Sequence, residues 1–67
     1  MKITAQDSKE YVAYEVEQRF NTVNCKNPQD RRRKIILGKY KDLERAAEVF
    51  GEIRAARKKG CYVMPEE

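Results

Sequence analysis

Tyr11-Val12-Ala13-Tyr14-Glu15-Val16-Glu17-Gln18-Arg19-Phe20 is the stretch whose reading decides the fold. Two periods compete in it. Val12, Val16 and Phe20 recur at i, i+4 and i+8, and Asp7-Ser8-Lys9-Glu10 just before them has the form of a capping box that opens a helix. The same residues also alternate. Val12, Tyr14, Val16, Gln18 and Phe20 fall on one side; Tyr11, Ala13, Glu15, Glu17 and Arg19 fall on the other. Val, Tyr and Phe suit a pleated surface, so strands are preferred and a helix over residues 8–22 stays the alternative.

Working outward, Asn27-Pro28-Gln29-Asp30 has the residues of a turn. It leads into Lys34-Ile35-Ile36-Leu37-Gly38-Lys39-Tyr40, which is apolar on both faces and is expected to be an interior strand. A helix is predicted from about Asp42 to Lys59. Leu43, Ala46, Ala47, Phe50 and Ile53 form its apolar face, with Val49 on the flank. Asp42 is the expected N-cap, and Asp42, Glu44 and Glu48 place negative charge in its first half. Arg57, Lys58 and Lys59 place positive charge in the last turn, and Gly60 stops it. Cys61-Tyr62-Val63-Met64 then reads as a short strand ended by Pro65. The fold class is α+β: one domain over residues 1–67, a small antiparallel β-sheet packed on one amphipathic α-helix.

Sixty-seven residues bury only about 60% of the unfolded surface. A core of that size seldom supplies more than about 3–5 kcal/mol. With no His and two widely spaced cysteines, Cys25 and Cys61, a structural zinc is not expected. Self-association as a homo-oligomer is the expected reinforcement. No apolar run reaches membrane-spanning or signal-peptide length, so the setting is read as a reducing cytoplasm with no membrane partner and with free thiols, an extracellular disulfide being the minor reading.

The absence of His removes the commonest general base, and Gly38, Gly51 and Gly60 are isolated, so no Gly-rich phosphate loop is present. Glu44, Glu48 and Glu52 stack at i, i+4, i+8 and read as a solvated helix face. A binding protein with no cofactor is therefore expected, and not an enzyme. Residues 1–30 hold four basic and five acidic side chains; residues 31–67 hold eleven basic and six acidic. The basic half favours an anionic ligand or an acidic protein surface. Arg31, Arg32 and Arg33 form a cationic loop before a strand, a good phosphate contact or a charged sheet end. Arg57 projects onto the apolar helix face and Arg54 onto its edge, either snorkelling at the rim of the core or lining a cleft. Tyr40 and Tyr62 are the tyrosines considered for stacking on a base, whereas Phe20 and Phe50 read as core. Gly51 offers a close approach for another backbone.

Ile3-Thr4-Ala5-Gln6-Asp7, Ile36-Leu37-Gly38-Lys39-Tyr40, Glu44-Arg45-Ala46-Ala47-Glu48-Val49, Glu52-Ile53 and Met64-Pro65-Glu66-Glu67 together resemble a group of small proteins of Firmicutes and their phages. The resemblance spans most of the chain except the Asn24–Arg33 region, and Lys41-Asp42 stands where the group has a Ser or Thr before the helix. It implies a small sheet on one helix and no particular activity. A phage setting implies an antagonist of host defence. The concrete expectation is a homo-oligomeric sponge that sequesters a nucleotide signal, as Thoeris anti-defence proteins do. The alternatives are a nucleic-acid binder and a protein–protein inhibitor or adaptor.

Overall fold

A computed structural model of the chain describes residues 1–27, 29–30 and 32–66. It is an α+β fold with six strands and one helix. These are β1 (Lys2–Thr4), β2 (Glu10–Val12), β3 (Tyr14–Arg19), β4 (Thr22–Lys26), β5 (Lys34–Lys39), α1 (Leu43–Ala55), a 3-10 turn (Ala56–Lys58) and β6 (Cys61–Val63). The strands form two three-stranded sheets, ordered β2-β1-β6 and β3-β4-β5. All neighbours are antiparallel except β1 and β6, which run parallel with Ile3 opposite Tyr62.

The Tyr11–Phe20 stretch is extended, and the helical alternative is excluded. Its alternation does not belong to one strand. Ala13 is buried at a break where its N–H donates to the Met1 carbonyl (2.8 Å), and the chain passes from one sheet to the other. Glu15 then adopts φ +49° in a bulge between Tyr14 and Glu17. Asp7 does not cap a helix: its carboxylate accepts the Lys9 N–H (3.0 Å) in the turn between β1 and β2. Phe20, expected in the core, sits at the tip of the β3–β4 hairpin with φ +53° and is 75% exposed. The hairpin's two-residue loop turns the ring outward.

Both ends of α1 follow local chemistry. The Asp42 carboxylate accepts the Arg45 N–H (2.8 Å), so Asp42 is the N-cap, a position that Asp favours. α1 ends at Ala55, short of the expected Lys59, and continues as the 3-10 turn, after which Gly60 turns the chain with φ +78°, a conformation without steric cost only for glycine. The buried line of the helix is Ala46, Val49 and Ile53. It is rotated by roughly 60° from the predicted Leu43–Ala46–Phe50 face, at about 100° per residue. Leu43 and Ala47 are exposed. The rotation has a cause: Tyr40, Tyr62 and Met64 supply apolar surface on the Val49 side. It also draws Arg45 over the Tyr40 ring (5.9 Å) and lets Tyr62 donate its hydroxyl proton to Glu52 (2.9 Å).

The core comprises Ile3, Ala5, Ala13, Val23, Cys25, Leu37, Tyr40, Ala46, Val49, Ile53 and Met64. Each fully buried Ile, Leu or Val contributes about 1.5–3 kcal/mol relative to an exposed one. β5 lies at a sheet edge, not in the interior, and Ile36 is 65% exposed on the outer face. Its apolar character on both faces arises because Leu37 is the extra residue of a bulge opposite Val23 and Asn24.

Gln6 joins the two sheets. Its backbone N–H donates to the Leu37 carbonyl (2.9 Å), and its Oε1 accepts the Lys39 N–H (2.7 Å). Its Nε2 donates to the carbonyls of Pro65 (3.0 Å) and Glu66 (2.8 Å). Tyr40 adds a hydroxyl donor to Pro65 (2.9 Å). Gly38 lies beneath this clasp, where a Cβ would stand 2.9 Å from the Tyr40 hydroxyl and 3.0 Å from the Met64 methyl.

Two substitutions test this account by urea-midpoint shifts. Gly38→Ala, with no room beneath Tyr40, is expected to destabilise the fold by about 1–3 kcal/mol. Phe20→Gly removes the left-handed strain of a bulky residue and is expected to stabilise it by about 1 kcal/mol.

Candidate functional site

β5 and α1 run in opposite directions, so the C-terminal end of α1 returns to the end of the second sheet where β5 begins. This places Arg54 and Arg57 at the same end of the fold as Arg32 and Arg33. The side chains occupy different surfaces. Arg54 and Arg57 line one cleft of about 250 Å³ with Met1, Ala13, Glu15, Val16, Phe50 and Ile53. Both arginines are exposed at the rim of the core, beside the apolar residues of that lining. Glu15 brings a carboxylate to the rim, offset by its ion pair with Lys26 (3.4 Å).

Arg32 and Arg33 are exposed in the loop before β5 and do not line that cleft. The loop is ordered around Asp30, whose carboxylate accepts the Arg32 N–H (3.0 Å) and pairs with the Arg33 guanidinium (3.9 Å). Arg31 lies outside the described residues.

The two tyrosines have structural work. Tyr40 is 4% exposed, its hydroxyl is engaged by Pro65 and one face is covered by Arg45. It is therefore not an open stacking platform. Tyr62 is half-buried and held by Glu52, and it borders a second surface hollow with Lys59, Cys61 and Val63. The exposed aromatics are Phe20 and Tyr14.

A second basic cleft, of about 610 Å³, was not legible in the sequence. Lys39, Tyr40, Lys41, Arg45 and Glu66 line it. Lys39 and Lys41 flank Tyr40 in the sequence, but Arg45 reaches it only because the helix is rotated. Among the described residues no cluster of three or more His, Cys, Asp or Glu is placed to hold a metal. No helix is long and apolar enough to cross a membrane. Cys25 and Cys61 are free thiols, one buried and one exposed.

Burial pushes the Tyr40 phenol above its ordinary value of 10.0, against the opposing effect of Arg45. It pushes Tyr62 much further, with the Glu52 carboxylate adding to the rise, and raises the Cys25 thiol above 9.0. The folded chain thus keeps protons that the unfolded chain gives up.

No protein-family model, curated protein or solved structure matches the chain.

Because the folded-state values are raised, this contribution to stability is complete below about pH 9 and is lost as the pH rises through the thiol and then the phenol range. Urea midpoints measured from neutral to strongly alkaline pH are expected to fall in that window. Tyr62→Phe is expected to flatten the upper part of the fall.

Proposed function

We propose that the chain is a non-catalytic binding protein that sequesters a nucleotide signal as a homo-oligomer and, in a phage setting, antagonises host defence. The observation that carries this reading is that Arg54 and Arg57 line one cleft together with apolar residues. That pairing suits a ligand with an apolar ring and anionic phosphates, because guanidiniums bind phosphate oxygens through paired N–H donors.

The cleft, at about 250 Å³, falls below the ~300–1,000 Å³ usual for small-ligand pockets. A second copy completes it in this reading. Three features support self-association. The core is small for a chain standing alone. The outer face of the second sheet exposes Tyr14 and Ile36. On that face the side-chain oxygen of Asn24, a residue only 5% exposed, has no hydrogen-bond partner among the described residues, and such a buried acceptor is costly until a donor reaches it. This face meets the cleft at the β3 bulge, where Tyr14 precedes Glu15.

The Arg32–Arg33 loop and the clustered cations keep a nucleic-acid reading as the alternative, with a steep loss of affinity as salt rises.

Calorimetric titration with cyclic di- and trinucleotides and cyclic ADP-ribose isomers tests the first reading. Binding by an oligomer is expected. Arg54→Ala or Arg57→Ala should each weaken it by about 1.5–3 kcal/mol, the range for a hydrogen bond to a charged group. A folded oligomer that gives no heat with any of these nucleotides would discard the sequestration reading.

A further inference from the structure

We propose that the cleft beside the Gln6 clasp is a separate binding site for a small polyphosphate anion, held by Lys39, Lys41 and Arg45. This site does not depend on the Arg54–Arg57 reading. Lys39, Lys41 and Arg45 surround one concave space, and among the described residues Glu66 contributes the one carboxylate of its lining. The balance is cationic. Two lysine ammoniums and a guanidinium are the groups that bind chains of phosphate oxygens: lysine as a compact point charge, arginine as a planar fork.

The cleft is built on the most tightly tied part of the fold. The Lys39 backbone is fixed by Gln6 (2.7 Å). The Tyr40 wall is buried and anchored to Pro65 (2.9 Å). Arg45 is held over the Tyr40 ring (5.9 Å) and ion-paired to Glu48 (3.3 Å). A cation set fixed by its own supports loses little freedom on binding. The volume, about 610 Å³, lies inside the ~300–1,000 Å³ range of small-ligand pockets.

Glu66 identifies the ligand charge. Gln6 grips its carbonyl (2.8 Å), which keeps the residue at the cleft while its side chain remains exposed. Glu66 thus lines the cleft together with the cations, and a phosphate is the stronger anion for the same donors. The incoming anion displaces the Glu66 side chain and leaves the clasped backbone in place.

Tripolyphosphate and ATP are the probes, titrated by calorimetry at low and high salt. The proteins are wild type, Lys39→Gln/Lys41→Gln, Glu66→Gln and Arg54→Gln/Arg57→Gln, each checked for native circular dichroism. Binding to the wild type is expected, weakened about tenfold or more by the lysine pair, since charge-assisted bonds dominate such sites. Glu66→Gln is expected to tighten it several-fold by removing the competing carboxylate, and tripolyphosphate binding that persists in Arg54→Gln/Arg57→Gln assigns the anion to this cleft and not to the other. ATP binding more tightly than tripolyphosphate would identify a nucleotide as the source of the phosphates, and equal affinities the phosphate chain alone; both support the site. Three results overturn it: no binding to wild type or Glu66→Gln, binding indifferent to the lysine pair, or a single-stranded oligonucleotide that outcompetes both probes through the same lysines.

Discussion

The side chain of Gln6 is the constraint on which the arrangement of the two sheets depends. A glutamine amide offers an oxygen acceptor and two N–H donors. Here the oxygen takes the Lys39 N–H, and the nitrogen serves the carbonyls of Pro65 and Glu66. One side chain therefore ties the end of β1 to the edge of β5 and to the segment after β6. Gly38 makes the junction possible by leaving space for Tyr40 and Met64. A glutamate would fit by shape but would set an acceptor against two acceptors, so the chemistry as well as the size of the residue is required.

The elements whose signals are local were legible in the sequence. Asp42, Gly60 and the charge gradient along α1 define a helix by its ends, and the Val, Tyr and Phe content of residues 11–20 outweighs a helical period that is also present. The division into two sheets was not legible. It depends on a crossing at Ala13 and a bulge at Glu15, and neither has the glycine that usually marks such a place. Phe20 misled for the same reason: an aromatic in a left-handed turn reads as core until the turn is seen. β5 looked interior because a bulge turns Leu37 inward beside the outward Ile36.

The site was legible by half, and the helix rotation explains which half. Arg54 and Arg57 were placed from the apolar face of an isolated helix, and they remain together at the rim of the core. Arg45 was missed because the same projection put it on the solvent side. Only Tyr40, just after β5, and Tyr62 in β6 move the buried line toward Val49 and bring Arg45 to Tyr40. The short motifs Gln-Asp, Leu-Gly-x-Tyr and Met-Pro meet at the clasp. These motifs therefore concern how the chain is held together, whereas Lys41, Arg54 and Arg57 stand outside them.

The parallel pairing of β1 with β6 has a further consequence for synthesis. Gln6 meets its partners 59 and 60 positions later in the chain, and such distant contacts must overcome loop-closure entropy before they stabilise anything. The β3–β4–β5 meander can assemble as it leaves the ribosome, but the first strand must wait until residue 66 has emerged. For that interval β1 and β2 are a two-stranded ribbon, marginal by itself, with the β1 edge open as well as that of β2. Residues 61–66 complete the framework around residues 2–6, so the nascent chain passes through this open-edged stage before the clasp closes.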